Sequence, residues 1–186
     1  MNLLSLETST KNFSLAVSEG EKILASRHFK LTKVLSSSII PAIDGILKKS
    51  GLAVKDLDGF AVGLGPGSFT SLRVGLSTVK GLAFAAGKPI VGISSLDVLA
   101  MNAPVEAGAQ ICVIADARRS LVYSCFYRRS HNNLERISEY SLTGIEEVLK
   151  KIKEPTFFIG DGIPLYREII LKNIYVILKN MLNLIL

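Results

Sequence analysis

The sequence predicts an α/β protein, and three features of the chain indicate this fold class. First, 48% of the 186 residues are hydrophobic and 20% are charged, with 15 glycines, which is a composition typical of globular α/β domains. Second, short apolar segments of strand length alternate with longer segments that carry a helical period. Third, a chain of this length can bury enough apolar surface to form one large domain or two small lobes.

The first half of the chain predicts three antiparallel strands followed by two helix–strand units. The order βββαβαβ is that of a ribonuclease-H-like lobe, in which helices cover a mixed sheet. Gly51 and Gly87 follow the two helices as C-terminal stop signals. The predicted elements are strands at 3–7, 13–17, 22–29, 60–63 and 89–93, and helices at 36–50 and 69–86.

The second half of the chain predicts a smaller copy of this architecture, without a sequence repeat. A short helix at 95–101 and a linker at 104–108 come first. We therefore expect an N-terminal lobe at 1–103 and a C-terminal lobe at 104–186, whose tail at 173–186 is rich in Leu, Ile and Asn. The further predicted elements are strands at 111–115, 121–127, 134–140 and 156–160, and a helix at 143–152.

The cysteines and the apolar segments predict a cytoplasmic protein. Cys112 and Cys125 lie in apolar strand segments without a CxxC spacing, which suits a reducing compartment. A disulfide between neighbouring strands is the alternative for this pair. The N-terminus lacks the pattern of a signal peptide, and no apolar run reaches the roughly 20 residues of a membrane span.

The charge of the chain gives only a weak indication of nucleic-acid binding. A net charge of +6 favours attraction to polyanions such as tRNA. The basic residues are scattered, apart from the pairs at 118–119 and 128–129, and aromatic residues do not interleave with them. A solvated basic surface and a tRNA-binding face therefore both remain open.

A glycine-rich segment, GLGPGSFTSLRVG at 63–75, directly precedes the second predicted helix. The N–H groups and dipole of a helix N-terminus favour an anion, but the segment lacks the Walker ending and the dinucleotide spacing. Two interpretations stay open: a phosphate loop, or a turn that lets helix and strand pack closely, with Ser68 or Thr70 as N-cap. Acidic turns at 7–10, 116–119 and 160–162 resemble the phosphate loops of two-lobed nucleotide-binding folds. The candidate nucleotide or anion contacts are Glu7, Thr8, Ser9, Gly65, Gly67, Ser68, Asp116 and Arg118.

The two longer helices carry more apolar surface than one sheet needs. In the helix at 69–86, one stripe contains Leu72 and Leu76, while Gly75 and Leu82 leave the adjacent face small and apolar. A helix that is apolar on more than one side is either deeply buried or part of an interface. We therefore predict a partner interface, which also favours a homodimer when the chain is alone. Its predicted residues are Ile39, Ile40, Ile43, Ser71, Leu72, Gly75, Leu76, Thr78, Val79 and Leu82.

The sequence predicts neither a catalytic metal nor a serine nucleophile. His28 and His131 are about a hundred residues apart, whereas a hydrolytic zinc site uses three protein ligands. Ser68 does not lie in a GxSxG elbow. We accordingly expect no catalytic residue and no metal.

Four segments together resemble the TsaB (YeaZ) family, the dimerisation subunit of the bacterial tRNA threonylcarbamoyladenosine complex. They are LSLETST at 4–10, GPGSFTSLRVG at 65–75, GISSL at 92–96 and DARR at 116–119. The resemblance covers 1–162 and implies a two-lobed actin/Hsp70/sugar-kinase-like fold. It also implies a non-catalytic subunit that heterodimerises with the catalytic subunit TsaD through its first two helices and works with the ATPase TsaE.

The function implied by the resemblance is transfer of a threonylcarbamoyl group to the adenosine 3′ of the anticodon, in tRNAs reading codons that begin with A. Cofactors are expected to be absent, except for ATP or ADP at a subunit interface of the complex. The chain departs from the family in Glu7, where Asp is usual, in the absence of histidine at the start of its first helix, and in its tail. The alternatives are a small-molecule kinase or ATPase of the same fold and a peptidase.

Overall fold

The chain divides into two units. A computed structural model of the chain describes residues 1–10, 12–30, 35–131, 133–173 and 175–177. The first unit is Met1–Ser95 and the second begins at Leu96, earlier than the boundary predicted after residue 103. The reason is that Leu96 and Ala100 are buried in the core of the second unit. Most of the predicted atypical tail, 178–186, lies outside the described residues.

The first unit has the predicted order βββαβαβ. Its elements are β1 (Asn2–Glu7), β2 (Asn12–Glu19), β3 (Lys22–Lys30), α1 (Leu35–Ser50), a 3₁₀ turn (Val54–Asp56), β4 (Gly59–Gly63), α2 (Phe69–Ala86) and β5 (Ile90–Ile93). The strands form one sheet in the order β3-β2-β1-β4-β5. β1 is antiparallel to β2 and parallel to β4, and β5 continues the parallel part. The predicted buried parallel strand at 60–63 is therefore confirmed.

One core joins the sheet of the first unit to both helices. Alternate residues of β2 are buried, as a strand with one covered face requires, and α1 buries residues spaced by three and four positions. Each fully buried Leu, Ile or Phe contributes about 1.5–3 kcal/mol. The central residues of this core are Leu4, Leu6, Phe13, Leu15, Val17, Ile39, Ile43, Phe60, Val62, Val79 and Ala83.

Helix α2 begins and ends at the residues that the sequence predicts. Ser68 is its N-cap and accepts a hydrogen bond from the Ser71 N–H, and Gly87 ends it in the left-handed conformation with φ of 63°. Because left-handed backbone is unfavourable for residues with a Cβ, glycine suits this stop position. Although α2 has 18 residues, no helix within the described ranges is long and apolar enough to cross a membrane.

The second unit is a mixed sheet in the order β11-β10-β6-β7-β8, with β9 also paired to β7. The predicted strand at 134–140 is wrong beyond residue 136, because the strand ends there and the next one begins only at residue 141. The helix at 163–170 was not predicted. Its elements are α3 (Ser95–Met101), β6 (Gln110–Asp116), β7 (Val122–Arg129), β8 (Leu134–Arg136), β9 (Ser141–Thr143), α4 (Ile145–Lys150), β10 (Thr156–Ile159), α5 (Ile163–Ile170) and β11 (Val176–Ile177).

The two cysteines lie on opposite faces of this second sheet. Cys125 pairs with Val113 and belongs to the same core cluster, whereas Cys112 pairs with Phe126 and belongs to the cluster on the other face. Both thiols are free and buried, and burial raises the pKa of Cys112 well above its usual value. The alternative of a disulfide between them is therefore wrong.

Gly160 is a position that tolerates no side chain. Its φ is 126°, and a Cβ there would collide with the carbonyl oxygen of Ile114. Backbone in this region costs a non-glycine residue about 1–3 kcal/mol before the collision is counted. We expect Gly160→Ala to destabilise the chain by about 2 kcal/mol or more, measured by thermal unfolding followed by circular dichroism.

The matched control for this substitution is Gly81→Ala. Gly81 lies in α2, and a Cβ there meets open space. Because alanine is favoured over glycine in a helix by about 1 kcal/mol, the control should be neutral or stabilising. A Gly160→Ala variant with an unchanged melting temperature would contradict the geometry at this turn.

The arrangement of the cysteines predicts the reactivity of their thiols. We expect neither thiol to react with a chromogenic thiol reagent in the native chain, because both are buried. After unfolding in denaturant without a reductant, both of the 2 cysteines should react. Fewer than two reactive thiols per unfolded chain would mean that a disulfide had formed.

Candidate functional site

The end of β1 meets the loop that leads from β4 into α2, and Glu7 is the centre of this contact. Its side chain is only 7% exposed. Oε1 accepts a hydrogen bond of 2.6 Å from the Ser9 N–H, and Oε2 accepts one of 2.7 Å from the Ser95 hydroxyl. The Ser95 hydroxyl oxygen in turn accepts a bond of 3.1 Å from the Gly65 N–H. Both carboxylate oxygens of Glu7 are thus engaged inside the protein.

The next two residues hold α2 directly. The Thr8 hydroxyl donates a hydrogen bond of 3.0 Å to the carbonyl oxygen of Ser71 in the first turn of α2. The carbonyl oxygen of Ser9 accepts a bond of 2.6 Å from the Ser68 N–H. Thr8 and Ser9 are both buried, and the Ser9 hydroxyl has no hydrogen-bond partner among the described residues.

Three glycines of the predicted phosphate loop are required by this packing. A Cβ at Gly63 would collide with the Glu7 carboxylate, and one at Gly67 would collide with the Ser9 carbonyl. A Cβ at Gly75 would lie 2.5 Å from the Thr8 hydroxyl. Close approach of backbone therefore accounts for these glycines, as in the second of the two interpretations of this segment.

The outer side of the same loop is open. Gly67 and Ser68 are exposed, and the first turn of α2 contains no acidic residue. The Arg73 guanidinium lies 3.7 Å from the centre of the Phe69 ring, one turn into the helix. The structure thus brings six of the predicted anion contacts together, but it buries Glu7, Thr8 and Ser9. Anion binding by this loop stays a prediction.

The remaining predicted anion contacts lie in the second unit, at the hairpin between β6 and β7. The Asp116 carboxylate accepts a hydrogen bond of 2.8 Å from the Arg118 N–H, and the side chains of these residues approach to 3.7 Å. The Asp116 N–H donates to Asp161, whose pKa is raised by partial desolvation. Residues 118–120 all have positive φ. This left-handed conformation costs each residue with a Cβ about 1–2 kcal/mol of stability. Anion binding at this turn stays a prediction.

The structure corrects part of the predicted partner surface. Ile39, Ile43, Gly75 and Val79 are buried in the first unit. Ile39, Ile43 and Val79 belong to the core between the helices and the sheet, and Gly75 lies against Thr8 at the end of β1. Ile40 is 51% exposed and points away from this core. The other predicted interface residues keep part of their surface exposed: Ser71, Leu72, Leu76, Thr78 and Leu82.

Two large side chains of α2 that the sequence analysis did not single out are exposed. Phe84 is 92% exposed and Phe69 is 67% exposed. On a helix of 3.6 residues per turn, Phe84 lies with Arg73 and Gly81 on the side away from the buried Val79, whereas Phe69 lies between that side and the buried side. The sequence could have indicated that these two side chains lie on neighbouring parts of the helix surface, because Phe69 and Phe84 are 15 positions apart, close to four helical turns.

Neither histidine belongs to the Glu7 site or to the turn at Asp116. His28 is exposed on β3, and His131 is exposed in the second unit after β7. Within the described part of the chain, no group of three or more His, Cys, Asp or Glu side chains is arranged to hold a metal ion.

Comparison with known proteins identifies one family. The model of the family described as "TsaD: tRNA N6-adenosine threonylcarbamoyltransferase" matches residues 29–182. The chain is 32% identical over 173 residues to the tRNA threonylcarbamoyladenosine biosynthesis protein TsaB of Bacillus subtilis, covering 91% of this chain and 75% of that protein. It is 35% identical over 136 residues to TsaB of Escherichia coli, covering 72% of this chain and 58% of that protein.

Solved structures agree with the sequence comparison. A crystal structure described as an uncharacterized protein with similarity to peptidase YEAZ, from Pseudomonas aeruginosa, is 29% identical with a TM-score of 0.81, covering 90% of this chain and 78% of that chain. YeaZ from Pseudomonas aeruginosa is 28% identical with a TM-score of 0.77 and the same coverage. The predicted fold class is confirmed. With the match to the family model and to most of the Bacillus subtilis relative, these likenesses show that the chain belongs to the TsaB (YeaZ) family of tRNA threonylcarbamoyladenosine biosynthesis proteins.

Proposed function

We propose that this chain is a non-catalytic scaffold subunit in the threonylcarbamoylation of tRNA. It binds a TsaD-type catalytic subunit, which transfers the threonylcarbamoyl group to the adenosine 3′ of the anticodon in tRNAs that read codons beginning with A. The observation that carries the proposal is the contrast on the first unit. Large apolar side chains are exposed on α1 and α2, while the candidate chemical groups at the end of β1 are buried and mostly hydrogen-bonded.

The proposal of a non-catalytic role rests on the state of Glu7. A carboxylate that acts as a general base or holds a magnesium ion must offer an oxygen to the substrate or the metal. Both oxygens of Glu7 instead accept hydrogen bonds from Ser9 and Ser95, at 2.6 and 2.7 Å. These contacts support a structural role for the one acidic residue of this loop.

The proposed binding surface consists of Ile40 on α1 and Phe69 and Phe84 on α2, with the partly exposed residues around them. Aromatic side chains are enriched at protein interfaces, and exposed apolar surface of this kind is typical of interaction sites. In the absence of the catalytic subunit, the same surface would pair with a second copy of the chain. We place the assembly in the cytoplasm, where tRNA is available.

The other partners belong to the complex rather than to this chain alone. We propose that the chain supports binding of the ATPase TsaE, that tRNA is reached through the assembled complex, and that ATP or ADP binds at a subunit interface. The support is that the relatives are tRNA threonylcarbamoyladenosine biosynthesis proteins. Because the chain spans 75% of the Bacillus subtilis relative and 58% of the Escherichia coli relative, TsaE binding needs a test separate from TsaD binding.

We expect Ile40→Glu to weaken binding to the catalytic subunit by at least about tenfold, or about 1.4 kcal/mol, because it buries an unpaired charge in an apolar contact. Ile40 is 51% exposed in the free chain, so the substitution should leave the fold intact. Isothermal titration calorimetry with the purified TsaD-type subunit of the same organism measures the dissociation constant.

The matched control is Ile23→Glu, since Ile23 is 58% exposed on β3 and lies on neither helix. It should bind like the wild-type chain. Equal binding by Ile40→Glu and Ile23→Glu would exclude the outer side of α1 from the interface. An equal loss in both variants would indicate a general effect of the added charge.

We also expect threonylcarbamoylation of tRNA in a reconstituted reaction to depend on this chain and to fall with Ile40→Glu in proportion to the complex formed. The reaction is measured by incorporation of labelled threonine into tRNA, with TsaD, TsaE and the threonylcarbamoyl adenylate supply present. Full activity without this chain would contradict the scaffold proposal.

A further inference from the structure

Glu7 is a buried acidic side chain without a basic partner among the described residues. None of the ion pairs in the described part of the chain includes it. Removing a carboxylate from water is costly unless hydrogen bonds replace the lost hydration. Here the replacements are the Ser9 N–H and the Ser95 hydroxyl. A carboxylate in this setting strongly favours conformations that keep both donors in place.

The donors that Glu7 holds connect it to the loop before α2. The Ser95 hydroxyl donates to Glu7 and accepts from the Gly65 N–H, so its proton has one orientation. The Ser95 N–H also donates a bond of 2.9 Å to the Gly65 carbonyl oxygen. Ser95 thus binds both the N–H and the carbonyl group of Gly65. The Glu7 carboxylate fixes the orientation of the Ser95 hydroxyl that accepts the Gly65 N–H.

The position of Gly65 in turn constrains the first turns of α2. A Cβ at Gly65 would lie 2.7 Å from Leu72 Cδ1, which means that the Leu72 side chain packs directly on the glycine backbone. Beside it, the Thr8 hydroxyl binds the Ser71 carbonyl oxygen. Ser71 and Leu72 are two of the partly exposed residues of the predicted partner surface.

We infer that Glu7 is a positioning residue for the partner surface: through Ser95 and Gly65, its carboxylate fixes the start of α2 in the orientation that the catalytic subunit binds. The inference rests on the proposed function and adds a residue that does not touch the partner. An interface held rigid before binding loses less conformational entropy when the complex forms. Glu7 therefore contributes to affinity and not only to the stability of the fold.

The first experiment uses the free chain and needs no partner. Hydrogen exchange of individual amides is followed by NMR in the wild type, Glu7→Gln and Ser95→Ala. Glutamine can accept only one of the two hydrogen bonds of Glu7, and alanine removes the bridging hydroxyl. We expect exchange of the Gly65 and Leu72 amides to become at least about tenfold faster, while amides in β2 and the middle of α1 keep their rates.

The second experiment measures the dissociation constant for the TsaD-type subunit, well below the melting temperature of every variant. We expect Glu7→Gln and Ser95→Ala each to weaken binding by about tenfold. The double variant should be weakened by much less than the product of the two, because both act through one hydrogen bond. Glu19→Gln and Ser26→Ala, which alter exposed residues of β2 and β3, are the controls and should bind normally.

Faster exchange confined to the start of α2, together with non-additive losses of affinity, would support the positioning role. Unchanged exchange at Gly65, exchange accelerated equally throughout the sheet, or unchanged affinity of the folded variants would overturn it. A wild-type chain that does not bind the catalytic subunit would overturn the proposed function instead, and the exchange rates would still decide whether Glu7 holds α2.

Discussion

The hydrogen bonds of the buried Glu7 carboxylate constrain much of the first unit. One of them joins the end of β1 to Ser95, which is 88 positions away in sequence and whose hydroxyl in turn accepts a hydrogen bond from Gly65 in the β4–α2 loop. Because Glu7 and Ser95 are both buried, water could replace this bond only if the protein opened at this point. The glycines of the loop follow from the same constraint, because Gly63 and Gly67 leave the space that the carboxylate and the adjoining backbone occupy.

The second unit has a similar order of elements, but its turns are held by different contacts. There the backbone carries the constraint: Gly160 packs against the Ile114 carbonyl, and residues 118–120 are left-handed. Asp116 is only partly buried and pairs with an exposed arginine, an arrangement worth at most about 1 kcal/mol. Of the three acidic turns, which all lie in the described part of the chain, the one at 7–10 has a buried carboxylate, whereas Asp116 is partly exposed and Asp161 is exposed, so the three turns are not equivalent chemically.

Much of the fold could be predicted because burial imposes a period on the sequence. The ends of α2 follow from Ser68 and Gly87, and the parallel strand β4 follows from its continuous apolar run. The contact between Glu7 and Ser95 could not be predicted, since no periodicity relates residues so far apart in sequence. The assignment of Gly75 to an outer face also failed, because a glycine carries no hydrophobic signal and only its contact with Thr8 shows which way it points. Helix α5 was not predicted, although Pro164 lies in its first turn, where proline is well tolerated.

In the proposed scaffold role, the stability of the fold and the binding of a partner would depend on different faces of α2. The inner face, with Val79 and Ala83, covers the sheet whether or not a partner is present. The outer face leaves Phe84 almost entirely in water, which gives the free chain none of the roughly 1.5–3 kcal/mol that burial of such a side chain provides. That free energy becomes available only when another surface covers the helix. A helix of this kind can therefore gain affinity at its outer face without changing the residues that fold the chain, provided that its start is held in place.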